Sequence, residues 1–213
     1  MKSVFLLGLL LTVFSVHAQT WSYIQNDSVK LGVQLDRGAA VAFFGRTATG
    51  RNLLNHYDYG RLLQQSFYGT NDGSSWNGTP WRWNPVQSGC WTGKVAGLVL
   101  DFRNDGHSLY AKTKPINWGG CDVIDAVMEE WIELIGNVAM IRFRLTNNSR
   151  DNTNISNQEM PAVFVDYDLA NLVSYEGSKP WTDAALTRKV PGWPNSGGQL
   201  DENWAAYVAI GTV

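Results

Sequence analysis

Charge is scarce in this sequence: 17% of its 213 residues are Asp, Glu, Lys or Arg, and the formal net charge is −2. That balance leaves no basic field to draw in nucleic acid or anionic lipid, so neither is expected as a partner. Histidine numbers 3 and cysteine 2. Neither type falls at metal-ligand spacing, and no metal site is predicted. There is no P-loop and no dinucleotide fingerprint, so no cofactor is expected. A Ser nucleophile elbow of the G-x-S-x-G form is missing as well. No repeat, heptad or low-complexity tract organises the chain, and a long hydrophobic run occurs once, at the N-terminus.

That run spans Val4 to Val16, about 13 residues, behind the single positive charge of Lys2. A bilayer span needs roughly 20 residues. Val16-His17-Ala18 then places small residues where a signal peptidase reads them. Residues 1–18 are therefore expected to be an export signal, with an uncleaved N-terminal anchor as the alternative that the short run disfavours. The mature chain would be secreted, lack a membrane span, begin near Gln19 and form one β-sandwich domain over residues 19–213. Loss of Lys2 takes the formal charge from −2 to −3.

Export bears on two further features. Cys90 and Cys121 are an even count in an oxidising compartment, which permits a disulfide; two separate buried thiols are the alternative. If paired, they close a loop of about 30 residues, worth about 3 kcal/mol in the loop-entropy account. Four N-x-Ser/Thr sequons, at Asn26, Asn77, Asn147 and Asn154, would accept glycans in a eukaryotic secretory pathway and mean little in a bacterium.

What the chain does hold is glycine, at 21 residues, and tryptophan, at 10. Few charges with many glycines and aromatics suit a turn-rich all-β protein. Val29, Leu31, Val33 and Leu35 alternate with polar or small residues, Asp36-Arg37-Gly38 turns the chain, and Ala39 to Phe44 returns. A second hairpin is expected from Val95–Phe102 and Ser108–Thr113 around Asp105-Gly106, and a third over residues 126–146 around Gly136-Asn137, with a helix over 124–135 as the alternative that this turn disfavours. In the third, Met140, Arg142 and Arg144 share one face, with Ile141, Phe143 and Leu145 on the other. Further strands are expected at Ala162–Val165 and Trp204–Ile210. Residues 51–69 lack a clean period. Residues 70–94 read as a long functional loop, and residues 176–203 as loop.

The stretches GRNLLN, DYGRLLQQSFYG and WNPVQ, the Glu129-Glu130-Trp131 strand leading into IRFRLTNN, and QEMPAVF together resemble a secreted branch of the galactose mutarotase-like superfamily. The resemblance covers about residues 29–210. It implies an antiparallel β-supersandwich, here without its final strands. Proteins of that fold include aldose epimerases, polysaccharide lyases and regions of glycoside hydrolases, so the implied partner is an oligo- or polysaccharide. The two catalytic histidines of mutarotases have no match: Gln158–Phe164 stands where one of them lies. Gly60-Arg61 resembles the Gly-Arg of the sugar-binding members.

A sugar site needs flat aromatic faces for the C–H side of a pyranose and planar polar groups for its hydroxyls. Trp76, Trp81, Trp83 and Trp91 are the expected faces, although at least half of the tryptophans should be structural. Arg61, Gln64, Gln65, Asn84 and Gln87 are the expected forks, with Arg61, Gln64, Trp83 and Asn84 as the core of the ligand set. The acids are Asp58, Glu129, Glu130, Glu159 and Asp166. Glu129 and Glu130 are neighbours and on a strand must face opposite ways. Glu159 is the first choice for a site acid, its alternative being a salt bridge to Arg142 or Arg144. His56, beside Tyr57 and Asp58, is the second catalytic candidate because imidazole is a common acid–base group, its alternative being a structural role. The first-ranked function is carbohydrate binding. An active carbohydrate enzyme (lyase, epimerase or glycoside hydrolase) and an inactive extracellular matrix protein are the alternatives.

Overall fold

A computed structural model of the chain describes residues 20–149, 158–177, 183–192 and 200–209. Regular structure there is β, apart from one 3-10 turn at Leu35–Arg37. In chain order the strands are β1 (Trp21–Gln25), β2 (Val29–Gln34), β3 (Ala40–Arg46), β4 (Gln64–Ser66), β5 (Asn71–Trp76), β6 (Thr79–Arg82), β7 (Pro85–Val86) and β8 (Leu98–Asn104). They continue with β9 (Ser108–Lys114), β10 (Ile116–Asn117), β11 (Ala126–Ile135), β12 (Val138–Asn147), β13 (Glu159–Ala162), β14 (Asn171–Ser174), β15 (Thr187–Lys189) and β16 (Ala205–Val208). All pairings between these strands are antiparallel.

Five sheets result. β1-β2-β3 form the first, and β12-β11-β9-β8 the second. Their facing sides make the main core from Ile24, Leu31, Val33, Val41, Leu109 and Ile132. The alternation read from the sequence explains why: every second residue of β9 is buried, and β12 alternates along its whole length. A third sheet, β10-β7-β4-β13, lies beside this core and carries the cleft described below. β15-β14-β16 form a fourth, and β5-β6 a separate hairpin.

The third sheet is joined to its neighbours by side-chain amides rather than by apolar packing alone. Gln87 Nε2 donates to Gly38 O at 3.1 Å, and Gln65 Nε2 donates to Glu129 O at 2.9 Å. Gly38 has a left-handed φ of 62°, and a Cβ there would lie 2.0 Å from the Gln87 carbonyl oxygen, so only glycine fits this junction. Each buried amide thus ties its sheet to a backbone carbonyl of a neighbour, and Gly38 O accepts from Thr113 Oγ1 at 2.7 Å as well.

The three expected hairpins all form. Gly136-Asn137 turns β11 into β12, and Leu35–Gly38 joins β2 to β3. Other expectations need correction. Residues 70–94 are not one long loop: they contain β5, β6 and β7, with Asn77-Gly78 at the hairpin tip. The 51–69 segment ends in β4, β13 starts ahead of the expected Ala162–Val165, and β14 precedes and β15 interrupts the expected final loop. β1, which the sequence pattern does not announce, forms by pairing with β2.

Cys90 and Cys121 form a disulfide with a Cα–Cα distance of 5.1 Å and a sequence separation of 31. Both pack into a cluster with Val86, Ile116 and Trp118. The double substitution Cys90→Ser, Cys121→Ser should lower unfolding free energy by about 3–4 kcal/mol. Urea denaturation reads this directly, and an unchanged midpoint would show that the bond constrains nothing. Among the sequons, Asn154 and the predicted export signal lie outside the described residues. Asn26 Nδ2 donates to Gly136 O at 2.8 Å, and Asn147 Nδ2 is buried. Asn77 stands exposed on its turn.

Candidate functional site

The cleft opens over β4 and β7 and holds about 380 Å³. Four groups of residues build it. The loop before β4 brings Gly60 and Arg61; the β5-β6 hairpin brings Trp76 and Trp81; Trp118 follows β10; and Glu159 begins β13. Ser66, Tyr68 and Phe164 complete the wall around these.

The three tryptophans form one aromatic cluster. Ring centroids are 5.7 Å apart for Trp76–Trp81, 5.1 Å for Trp81–Trp118 and 5.9 Å for Trp76–Trp118. These are edge-on and tilted contacts of the kind that aromatic quadrupoles favour. Asn117 holds the hairpin against β10: its Nδ2 donates to Asp72 Oδ2 and to Ser74 Oγ, both at 2.8 Å. Gly60 is required by Trp118, because a Cβ at that position would meet the indole Nε1 at 2.7 Å.

The same lining holds the polar groups. Arg61 is ion-paired with Asp58, and its guanidinium carbon lies 5.3 Å from the Trp118 ring centroid. The side chain keeps 23% of its surface open. Glu159 stays in contact with solvent as a residue, while its carboxyl lies in the cleft near Arg61. Burial pushes that carboxyl above its ordinary pKa, against the pull of the Ser66 and Tyr68 hydroxyls and the Arg61 charge. The Tyr68 phenol is pushed up to about 12 by burial and by Glu159, so it stays protonated through the neutral range. The cleft lining thus combines indole rings with a carboxyl, a phenol, a hydroxyl and a guanidinium.

Of the residues expected from sequence, the cleft brings together Arg61, Gln64, Asn84, Glu159, Trp76 and Trp81. Their availability differs. Gln64 is 1% exposed; its Nε2 donates to Gly60 O at 2.9 Å, and its Oε1 accepts from Ser88 N and Ser88 Oγ. Asn84 Nδ2 donates to Ser66 Oγ at 3.0 Å and to Phe67 O at 2.9 Å. Gln64 and Asn84 brace the floor instead of reaching for a ligand. Gln65 and Gln87 are buried sheet-joining amides, outside the cleft.

Trp83 is the main correction. It is 3% exposed, packs edge-on against Phe67 with centroids 6.2 Å apart, and lies in a core cluster with Ile124 and Ala126. Unbroken alternation would put Trp81 and Trp83 on one face, but β6 ends at Arg82, and beyond it Trp83 packs into the core while Trp81 lines the cleft. Trp91 is 37% exposed and does not line the cleft. His56 is exposed, with its Nδ1 3.0 Å from Leu54 O and its ring against Tyr57, away from the cleft.

Glu129 and Glu130 do face opposite ways. Glu129 accepts from Tyr110 Oη at 2.7 Å and pairs with Arg144. Burial opposes its charge, but Tyr110 and Arg144 outweigh that and hold its pKa below the usual range. Arg144 is therefore committed to Glu129 rather than to Glu159, and Arg142 lies over the Trp131 ring, 4.7 Å from its centroid. Glu130 points into the core. Asp166 and Asp58 lie outside the cleft lining, Asp58 serving as the partner of Arg61. Trp118, Tyr68 and Phe164 are the site residues that sequence reasoning missed. A signal existed for Trp118: Asn117-Trp118-Gly119-Gly120 repeats the Asn/Gly-with-Trp composition of residues 70–94.

Among the described residues, no cluster of three or more His, Cys, Asp or Glu is placed to hold a metal ion, and no helix is long and apolar enough to cross a membrane. No family model matches the chain, and no curated protein matches it. A solved 4-alpha-glucanotransferase from Thermococcus litoralis is similar to it with a TM-score of 0.36 and 11% identity. That likeness covers 58% of this chain and 22% of that one, and is too slight to carry fold type or function.

Proposed function

We propose that this protein is a secreted carbohydrate-binding protein of galactose mutarotase-like fold, and that its ligand, an oligo- or polysaccharide, lies in the cleft between the tryptophan cluster and Glu159. One observation carries the reading: Trp76, Trp81 and Trp118 line a single opening of about 380 Å³ together with Arg61, Tyr68 and Glu159. A pyranose has an apolar C–H face and a rim of hydroxyls, and this cleft offers a match to each. The resemblance over residues 29–210 supplies the sugar class. Export fits it too, since polysaccharides and their fragments are met outside the cell.

Binding ranks above hydrolysis on a count of carboxylates. Acid–base cleavage of a glycosidic bond uses two carboxyl groups flanking it. Among the described residues lining the cleft, Glu159 is the one carboxylate.

A glycan array followed by calorimetry on the mature chain tests the proposal. Oligosaccharides should bind, and Arg61→Ala should weaken them about tenfold through loss of a charged hydrogen-bond donor. Absence of binding to neutral and acidic saccharides alike would end the reading. Release of reducing ends or of unsaturated uronates would replace it with an enzymatic one.

A further inference from the structure

The cleft does not end at its aromatic wall. A second hollow of about 370 Å³ is lined by Tyr68, Asn71, Pro80, Trp81 and Arg82. Tyr68 and Trp81 belong to both openings, so the two compartments adjoin across those rings. Their polar inventories differ. In the cleft the amides of Gln64 and Asn84 are engaged by the fold, and the charges of Arg61 and Glu159 oppose each other. In the second compartment Asn71 and Arg82 are both exposed and directly opposite in the β5-β6 pairing. Arg82 makes no ion pair among the described residues, and no carboxylate is among the residues lining this hollow.

We infer that the second compartment is a subsite for an anionic unit of an oligosaccharide whose neighbouring unit occupies the cleft, with Arg82 holding the carboxylate or sulfate. The inference rests on the carbohydrate reading above and deepens it. Two hollows that share aromatic walls fit a chain of units better than a single sugar. A guanidinium without a counter-charge, beside a free amide and two rings, recognises a planar or tetrahedral anion carried on a sugar ring. Pro80 and the ring of Trp81 supply the wall against which that ring would rest. The subsite therefore selects for the acidic unit, while the tryptophan cluster of the cleft accepts its neighbour.

Calorimetry with mono-, di- and trigalacturonate, their carboxyl-reduced galactose counterparts and a sulfated galactan disaccharide tests this. Digalacturonate or the sulfated disaccharide should bind more tightly than the corresponding monosaccharide and than the reduced, uncharged disaccharide. Whichever anion binds better identifies the substituent. Arg82→Ala should weaken the acidic disaccharide about tenfold and leave its uncharged counterpart unchanged. Arg82→Lys should restore part of the loss, and Arg61→Ala should weaken both ligands. An Arg82→Ala variant with the wild-type ratio of acidic to neutral affinity overturns the inference. So do monosaccharides that bind as tightly as disaccharides. In either case, binding that still depends on Arg61 leaves the cleft reading standing. If no saccharide binds at all, the cleft reading fails and the subsite falls with it.

Discussion

Glu130→Gln should make the protein more stable at alkaline pH and change little in acid. Glu130 is 1% exposed, on the inward face of β11 between Met128 and Ile132. Its carboxyl has no well-formed hydrogen bond, and the Gln87 side chain that acts on it already gives its Nε2 to Gly38 O. Burial raises its pKa from 4.5 to about 8, and the nearby Gln87 side chain opposes that rise without cancelling it. The native state therefore holds a proton that the unfolded chain has already released anywhere between those two values. Where the native state binds more protons, stability falls as pH rises, by about 1.4 kcal/mol per pH unit at the steepest. The cost is absent below pH 4.5 and complete above about pH 8. An amide has nothing to ionise, so the variant should gain roughly 3–5 kcal/mol over the parent above that upper limit. Urea unfolding across a pH series reads both curves; parallel curves would show that Glu130 titrates normally.

Glu129 supplies the opposite sign on the same strand. Its pKa is held down by Tyr110 and Arg144 against the effect of burial. Its stabilisation is present at neutral pH and lost as pH falls through the native value. Glu129→Gln should therefore destabilise at neutral pH, and the difference should shrink in acid. Adjacent positions with opposite pH signatures follow from strand alternation: one carboxyl meets a hydroxyl and a guanidinium on the outer face, and the next meets the core.

The hairpins were legible because their signals are local. An apolar–polar period on both sides of Gly136-Asn137 or Asp105-Gly106 specifies pairing without knowledge of anything distant. The β5-β6 hairpin carries the same kind of signal at Asn77-Gly78, yet its flanks are mostly exposed and lack an alternating pattern to read. β4, β7 and β10 are invisible for another reason. They are two or three residues long, and their buried side chains include Gln64, Gln65, Ser66 and Asn117. A pattern based on hydrophobic periodicity passes over a sheet joined by amides.

The site was legible as a composition and not as a set of roles. Arg61 and Glu159 were identified by residue type and do reach the cleft. Gln64 and Asn84 reach it too, but the sequence could not show that their amides answer Gly60 O, Ser66 Oγ and Phe67 O. Trp81 and Trp83 are two residues apart and end in different places, one in the cleft wall and one in the core. Which tryptophan faces a ligand is decided by tertiary packing, and Trp118 enters the wall only because a disulfide, a glycine and a hairpin from distant parts of the chain converge on it.

Trp118→Ala should therefore cost both stability and ligand. The indole is 5% exposed and packs with Val86, Cys90 and Ile116 beneath Trp76 and Trp81. Truncating a buried tryptophan to alanine removes about 3–5 kcal/mol through lost burial and the cavity left behind. With the ring gone, Trp76 and Trp81 lose the partner that holds the β5-β6 hairpin over the cleft, and Arg61 loses the face beneath its guanidinium. Gly60→Ala separates the two effects. Its Cβ would press on the Trp118 Nε1 from 2.7 Å, shifting the ring without emptying the cluster. That variant should stay closer to wild type in urea while losing saccharide affinity, and Trp118→Ala should lose both. A Trp118→Ala protein that unfolds at the wild-type midpoint would show that this ring is not what holds the wall in place. Equal affinity in wild type and Gly60→Ala would show that the ligand does not touch it.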